Sequence, residues 1–170
     1  MTTRAQSVFS PMYGWRPRVK PAGVFHFVHR RADGTLVEER DVPNLIVSAG
    51  LAALAGLSIA TGHTNAFDYI AIGTGVTAPV AGNTTLGTEI TTGGGARALA
   101  TLSRVTTTVT NDTARLVKTF TFTSSFAVTE AGVLDSAAVG TLLCRQTFTA
   151  INVVSTETLE VTYSIQGLPT

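Results

Sequence analysis

Two carboxylates, Glu130 and Asp135, are the nearest thing to a catalytic pair in this 170-residue chain. Paired carboxylates can act as acid and nucleophile in sugar cleavage. Here they bracket Ala131-Gly132-Val133-Leu134, with no nearby aromatic to stack a sugar. The competing role is structural, with Glu130 bonding backbone amides at a strand or turn end. Gly73-Thr74-Gly75 has the look of a phosphate loop. It lacks the third glycine of the dinucleotide fingerprint, and no Gly-Lys-Ser/Thr follows it. Its expected role is a tight turn with positive φ. His26 and His29 fall on opposite faces if their segment is a strand, and His63 lies far along the chain, so no metal site is expected. Cys144 is the sole cysteine. An intrachain disulfide and a metal site built of cysteines are therefore excluded, and Cys144 has no recognisable catalytic partner. No Gly-x-Ser-x-Gly elbow occurs. The expectation is a protein without catalysis and without a cofactor.

The elements that would position these residues are mostly strands. Gly23 to Arg31 and Thr35 to Arg40 predict a hairpin across Ala32-Asp33-Gly34, Asp-Gly being a strong short-range turn signal. Val24, His26 and Val28 share one face and Phe25, Phe27 and His29 the other. Both faces are partly apolar, which predicts a hairpin covered on both sides. Ser48 is placed to cap a helix over residues 48–60, in which Leu51, Leu54 and Leu57 recur at helical spacing. Ala52, Ala53, Ala55 and Gly56 form its other face, small enough to approach a sheet closely, and Gly62 is placed to end it. Phe67 to Ile72 reads as a buried central strand running into Gly73-Thr74-Gly75. Residues 76–96 are loop-like, with Leu86 and Ile90 spaced as one amphipathic turn. A loop of that length in a compact domain is usually functional.

From Ala98 the pattern is nearly all strand. Ala98 to Thr110 and Ala114 to Thr123 predict a second hairpin across Asn111-Asp112. Val128 to Leu134 and Gly140 to Phe148 follow. Leu159, Val161, Tyr163 and Ile165 alternate strictly with polar residues, the clearest half-buried strand in the chain. Ile70, Ile72, Phe120, Phe122, Val161 and Tyr163 are the expected core. The fold class is mainly β: an antiparallel β-sandwich or barrel with one short packed α-helix. Residues 23–170 form the single domain, preceded by an extended arm over residues 1–22.

Charged residues make up only 14% of the chain, against roughly 25% in ordinary soluble domains. A surface covered by neighbouring subunits would explain this, as would a Thr-rich surface. The charge is also uneven. Residues 1–40 hold seven basic and three acidic residues, and the remainder five and eight. The arm carries Arg4, Arg16, Arg18 and Lys20 among Phe9, Tyr13 and Trp15, and Pro11, Pro17 and Pro21 keep it out of helix and central strand. Such an arm suits docking on an acidic partner surface. The basic residues are too few and scattered for a nucleic-acid motif. The N-terminus has no signal-type apolar core, and no apolar run is long enough to span a bilayer, so a soluble protein made in the cytoplasm is expected.

Three ordered segments carry a family resemblance. They are Asn44-Leu45-Ile46-Val47-Ser48-Ala49-Gly50-Leu51, then Tyr69 to Gly75 with Thr77-Ala78-Pro79, then Glu130 to Asp135 followed by Gly140-Thr141-Leu142-Leu143. Their order resembles small virion structural proteins of tailed bacteriophages, and the N-terminal attachment region of phage tail-collar fibre proteins. The resemblance spans about residues 23–166 and implies no catalytic residue. Its motif residues Asn44, Gly50, Gly73, Gly75, Glu130 and Gly132 would be architectural. It implies a homo-oligomer on the virion, assembled in the host cytoplasm, whose partners are the major capsid protein or tail proteins. With no fibre shaft following the motif domain, the expectation is a capsid decoration or cement subunit bridging capsomers. A tail-associated structural protein is the first alternative and a carbohydrate-binding surface module a remote one.

Overall fold

A computed structural model describes residues 21–167. The arm residues Arg4, Phe9, Tyr13, Trp15, Arg16, Arg18 and Lys20 lie outside them. Among the described residues the chain forms two antiparallel five-stranded sheets and one helix. In chain order the strands are β1 (Pro21–Arg30), β2 (Leu36–Pro43), β3 (Leu45–Ile46), β4 (Tyr69–Gly73), β5 (Ala98–Leu99), β6 (Thr101–Val105), β7 (Thr113–Thr121), β8 (Phe126–Leu134), β9 (Leu142–Val153) and β10 (Thr158–Gly167), with helix α1 (Ser48–Ser58) between β3 and β4. Sheet A runs β2-β1-β10-β7-β6 and sheet B runs β3-β9-β8-β4-β5. Among the described residues neither sheet closes on itself, so the fold is a two-sheet sandwich and not a closed barrel.

The core fills the space between the sheets. Phe25, Phe27, Phe120, Val161 and Tyr163 from sheet A meet Ile70, Ile72, Val133, Cys144 and Ile151 from sheet B. All six residues expected in the core are buried, Phe122 included. The alternation of β10 is the cause on its side: Leu159, Val161 and Tyr163 point inward, while Glu160, Thr162 and Ser164 stay half-exposed.

Several expectations need correcting. The first hairpin is covered on one face only. Phe25, Phe27 and His29 are buried, whereas Val24, His26 and Val28 are half-exposed on the outer face of sheet A. The strand expected from Ala98 to Thr110 breaks at Ala100, whose N–H donates to the Asp68 carbonyl (2.8 Å) as the chain leaves sheet B for sheet A. Strand β9 begins at Leu142, because Gly140 adopts φ of 100° in the preceding turn. Leu86 and Ile90 form no helical turn. Each is buried separately, Leu86 outside sheet B and Ile90 in the main core.

The helix differs in its cap, and it buries part of each expected face. Gly50, Ala53 and Gly56 are buried and Leu54 and Leu57 pack half-buried against the core, while Leu51 is 47% exposed. A Cβ on Gly50 would run into the Leu143 carbonyl, so the small stripe sets how closely α1 approaches β9. Ser48 is not the cap. Val47 holds that position without a side-chain hydrogen bond, and the Ser48 amide donates to the Ala81 carbonyl (2.8 Å). Loop backbone thus satisfies an amide that a serine hydroxyl was expected to satisfy. The helix ends at Ser58, before Gly62.

Candidate functional site

Glu130 lies on β8 with its side chain on the outer face of sheet B. It is fully buried there, because the long segment after β4 folds over it. That segment leaves β4 at Gly73 and returns beside it: the Ile90 amide donates to the Ile72 carbonyl (2.9 Å) and the Thr74 amide to the Thr88 carbonyl (2.8 Å). Its two limbs close over the carboxylate. Oε1 accepts from the amides of Gly75 (3.0 Å) and Thr88 (2.6 Å). Oε2 accepts from the Gly87 amide (2.8 Å) and from Nε of Arg145 (2.7 Å) on β9. Arg145 is 1% exposed and donates onward to Asn83 Oδ1 (3.2 Å) and the Thr77 carbonyl (3.0 Å). Burial pushes the Glu130 carboxyl up, but the Thr88 and Gly87 amides and the Arg145 guanidinium outweigh it and hold the group below its ordinary value.

The glycines follow from this arrangement. Neither Gly73 nor Gly75 has positive φ, contrary to expectation. A Cβ on either would collide with the Glu130 carboxylate, so they are glycine to admit the acid. Gly132 lies two residues on, on the same face of β8. A Cβ there would meet Leu86 Cδ1 at 2.7 Å, so it makes room for the side chain that plugs the loop onto the sheet.

A second clamp holds the far end of the segment. Arg97 bonds Glu89 bidentately through Nε (2.9 Å) and one terminal nitrogen (2.6 Å). Its other terminal nitrogen donates to the carbonyls of Ser136, Ala138 and Val139. Asp135 accepts from the Thr141 amide (2.6 Å) in the same turn, and its other oxygen lies 3.5 Å from His63 Nε2. The structure therefore assigns the two sequence-predicted carboxylates separate backbone-holding roles. Glu130 is sealed from solvent with both oxygens occupied, and it offers no lone pair to a substrate.

The other singled-out residues are dispersed. His26 lies on the outer face of sheet A, 2.8 Å from Asp41. His29 is buried against Glu157 (2.8 Å), and His63 stacks on Phe67. Among the described residues no group of three His, Cys, Asp or Glu is placed to hold a metal ion. Asn44 joins β2 to β3. Its side-chain carboxamide and the Tyr163 hydroxyl are buried beneath Gly23 without hydrogen-bond partners among the described residues. Cys144 lies beside them, and burial pushes its thiol up to about 12, against smaller opposing effects of Tyr163, the Val133 backbone and Asn44. Sequence reasoning missed Arg145 and Arg97. The signal for Arg145 was present: a lone cation ending the apolar run Leu142-Leu143-Cys144, in a chain with an unexplained Glu130.

No protein-family model, curated protein or solved structure matches the chain. No helix among the described residues is long and apolar enough to cross a membrane.

Proposed function

We propose that this chain is a non-catalytic structural subunit of a tailed-bacteriophage virion, a capsid decoration or cement protein that bridges capsomers. One observation supports the reading. The three segments that carry the resemblance are far apart in sequence, yet they converge in sheet B, at β3 with α1, at β4 and at β8. Glu130 of the third segment bonds the Gly75 amide of the second. Four of the motif residues, Gly73, Gly75, Glu130 and Gly132, thus share a physical purpose, stapling a long surface segment onto the sheet. A cement subunit needs that property, because it stabilises a shell by adding buried area at joints and must present a fixed surface there. The basic, aromatic arm would add a tether to carboxylate-bearing neighbours, either the major capsid protein or further copies. A tail-associated subunit is the second reading, favoured by the likeness to collar-fibre attachment regions.

The deciding experiment is quantitative mass spectrometry of purified virions that encode the chain. A copy number matching the capsomers supports cement, and one matching the tail's rotational symmetry supports the second reading. Absence from washed particles would reject both.

A further inference from the structure

The outer face of sheet A is open, and its charges are sorted. The registers of β2, β1, β10 and β7 define rows across it. One row is Glu39, Val28, Glu160 and Thr119. The next is Asp41, His26, Thr162 and Val117. The last, nearest the start of β1, is Pro43, Val24, Ser164 and Arg115. Glu39 and Asp41 have side chains 51% and 70% exposed. Among the described residues, no Lys or Arg pairs with Glu39, Asp41 or Glu160; only His26 meets the first two. Between the carboxylates, Val24, Val28 and Val117 stay half-buried. This is an acidic face with apolar patches.

Residues 1–20 have the opposite character: four cations, no carboxylate, and Phe9, Tyr13 and Trp15. Three of those cations, Arg16, Arg18 and Lys20, stand just before Pro21. Pro21 pairs with Gly167, so the chain enters sheet A at the Arg115 end of the face. Asp41 lies opposite His26, about 17 Å along the strand from Pro21, and Glu39 about 23 Å, at roughly 3.3 Å per residue. Even fully extended, Lys20 falls short of Asp41 in its own subunit and Arg18 falls short of Glu39, so the three cations cannot all meet these carboxylates there. A neighbouring copy is under no such restriction.

We propose that the arm of one copy docks on the outer face of sheet A of a second copy. Arg16, Arg18 and Lys20 meet Glu39, Asp41 and Glu160, and the arm's aromatics cover the valines between them. This deepens the reading of an assembling subunit by naming the arm's acceptor, but it requires two copies and no particle.

Trp15 is the sole tryptophan, so its emission reports the arm directly. With the full chain at low salt, emission should shift to the blue as concentration rises, in step with mass from light scattering. Glu39→Lys with Asp41→Lys, on an exposed edge strand, should leave the protein folded and monomeric with red emission. Arg16→Glu with Arg18→Glu should do the same. Mixing these two variants should restore association, because the unaltered arm of one meets the unaltered face of the other, and the reversed arm the reversed face. Blue emission independent of concentration would place the arm on its own domain, and would overturn the proposal. Red emission at every concentration, turning blue only on added virions, would also overturn it while leaving the virion reading standing. Failure of the mixed variants to associate while the unaltered chain does would show that charge pairing is not the basis, and would overturn it too.

Discussion

Glu130 shows how one residue can hold a surface segment. Four donors surround its two oxygens, three of them amides from a single loop. An ionised carboxylate out of water is costly unless it is paired and hydrogen-bonded, and here it is both. Because the fold lowers its pKa, its stabilisation is fully present above the unfolded value of about 4.3 and is lost as pH falls through the folded value. Glu130→Gln should destabilise the fold by about 3–5 kcal/mol near neutral pH, the usual effect of breaking a buried pair. It should also flatten the acid limb of stability. Urea titrations across pH 3–7 test both, and hydrogen exchange should quicken first at the Gly75, Gly87 and Thr88 amides. An unaltered acid limb would mean that Glu130 is not the titrating group. Cys144 gives the opposite sign. Its pKa is raised, so its contribution is present below the unfolded value of about 8.5 and fades as pH rises toward 12. The thiol should resist alkylation in the native protein at pH 8 and react only on unfolding. Rapid native labelling would show that the core opens locally.

At the scale of elements, α1 separates what pattern can reveal from what packing decides. The Leu51, Leu54, Leu57 spacing correctly marks a helix. It marks the buried face only in part: Leu54 and Leu57 pack half-buried beside Gly50, Ala53 and Gly56, while Leu51 is exposed. Gly50→Ala would ordinarily favour a helix by about 1 kcal/mol. Here it should destabilise by about 1–3 kcal/mol, since the new methyl meets the Leu143 carbonyl. Leu51→Ala, on the exposed side, should cost much less. Chemical denaturation of the two variants checks the ranking, and the reverse order would place Leu51 in the packed face. Strand β10 was legible because one face is buried and the other is not. The break at Ala100 was not, because its residues are as strand-like as those around them and the change of sheet depends on distant Asp68. Glu130 was legible as an amide-binding acid, yet its cation was not. Arg145 lies across a strand pair whose register no local pattern displays.

For the whole molecule, the proposed division between a folded domain and a docking arm sets what truncation should do. Among the described residues, the main core cluster draws on strands from β1 to β10 and runs from Phe25 to Tyr163, with Ile165 packed against it. The Glu130 and Arg97 clamps also lie wholly inside that span. A chain lacking residues 1–20 should therefore fold, with a melting temperature displaced by less than the roughly 2–4 °C that 1 kcal/mol represents for a domain of this size. Its capacity to associate should fall sharply, because Arg4, Arg16, Arg18 and Lys20 go with the arm, as do Phe9, Tyr13 and Trp15. Added salt should weaken assembly of the full chain only in part: ion pairs at the surface are screened over about 10 Å at 0.1 M, while aromatic contacts are not. Calorimetry of both chains, with co-sedimentation on particles lacking the native copy at low and high salt, measures the two halves of this prediction separately. A truncated chain that fails to fold would make the arm part of the core. One that folds and decorates as well as the full chain would move the docking function onto the sandwich itself.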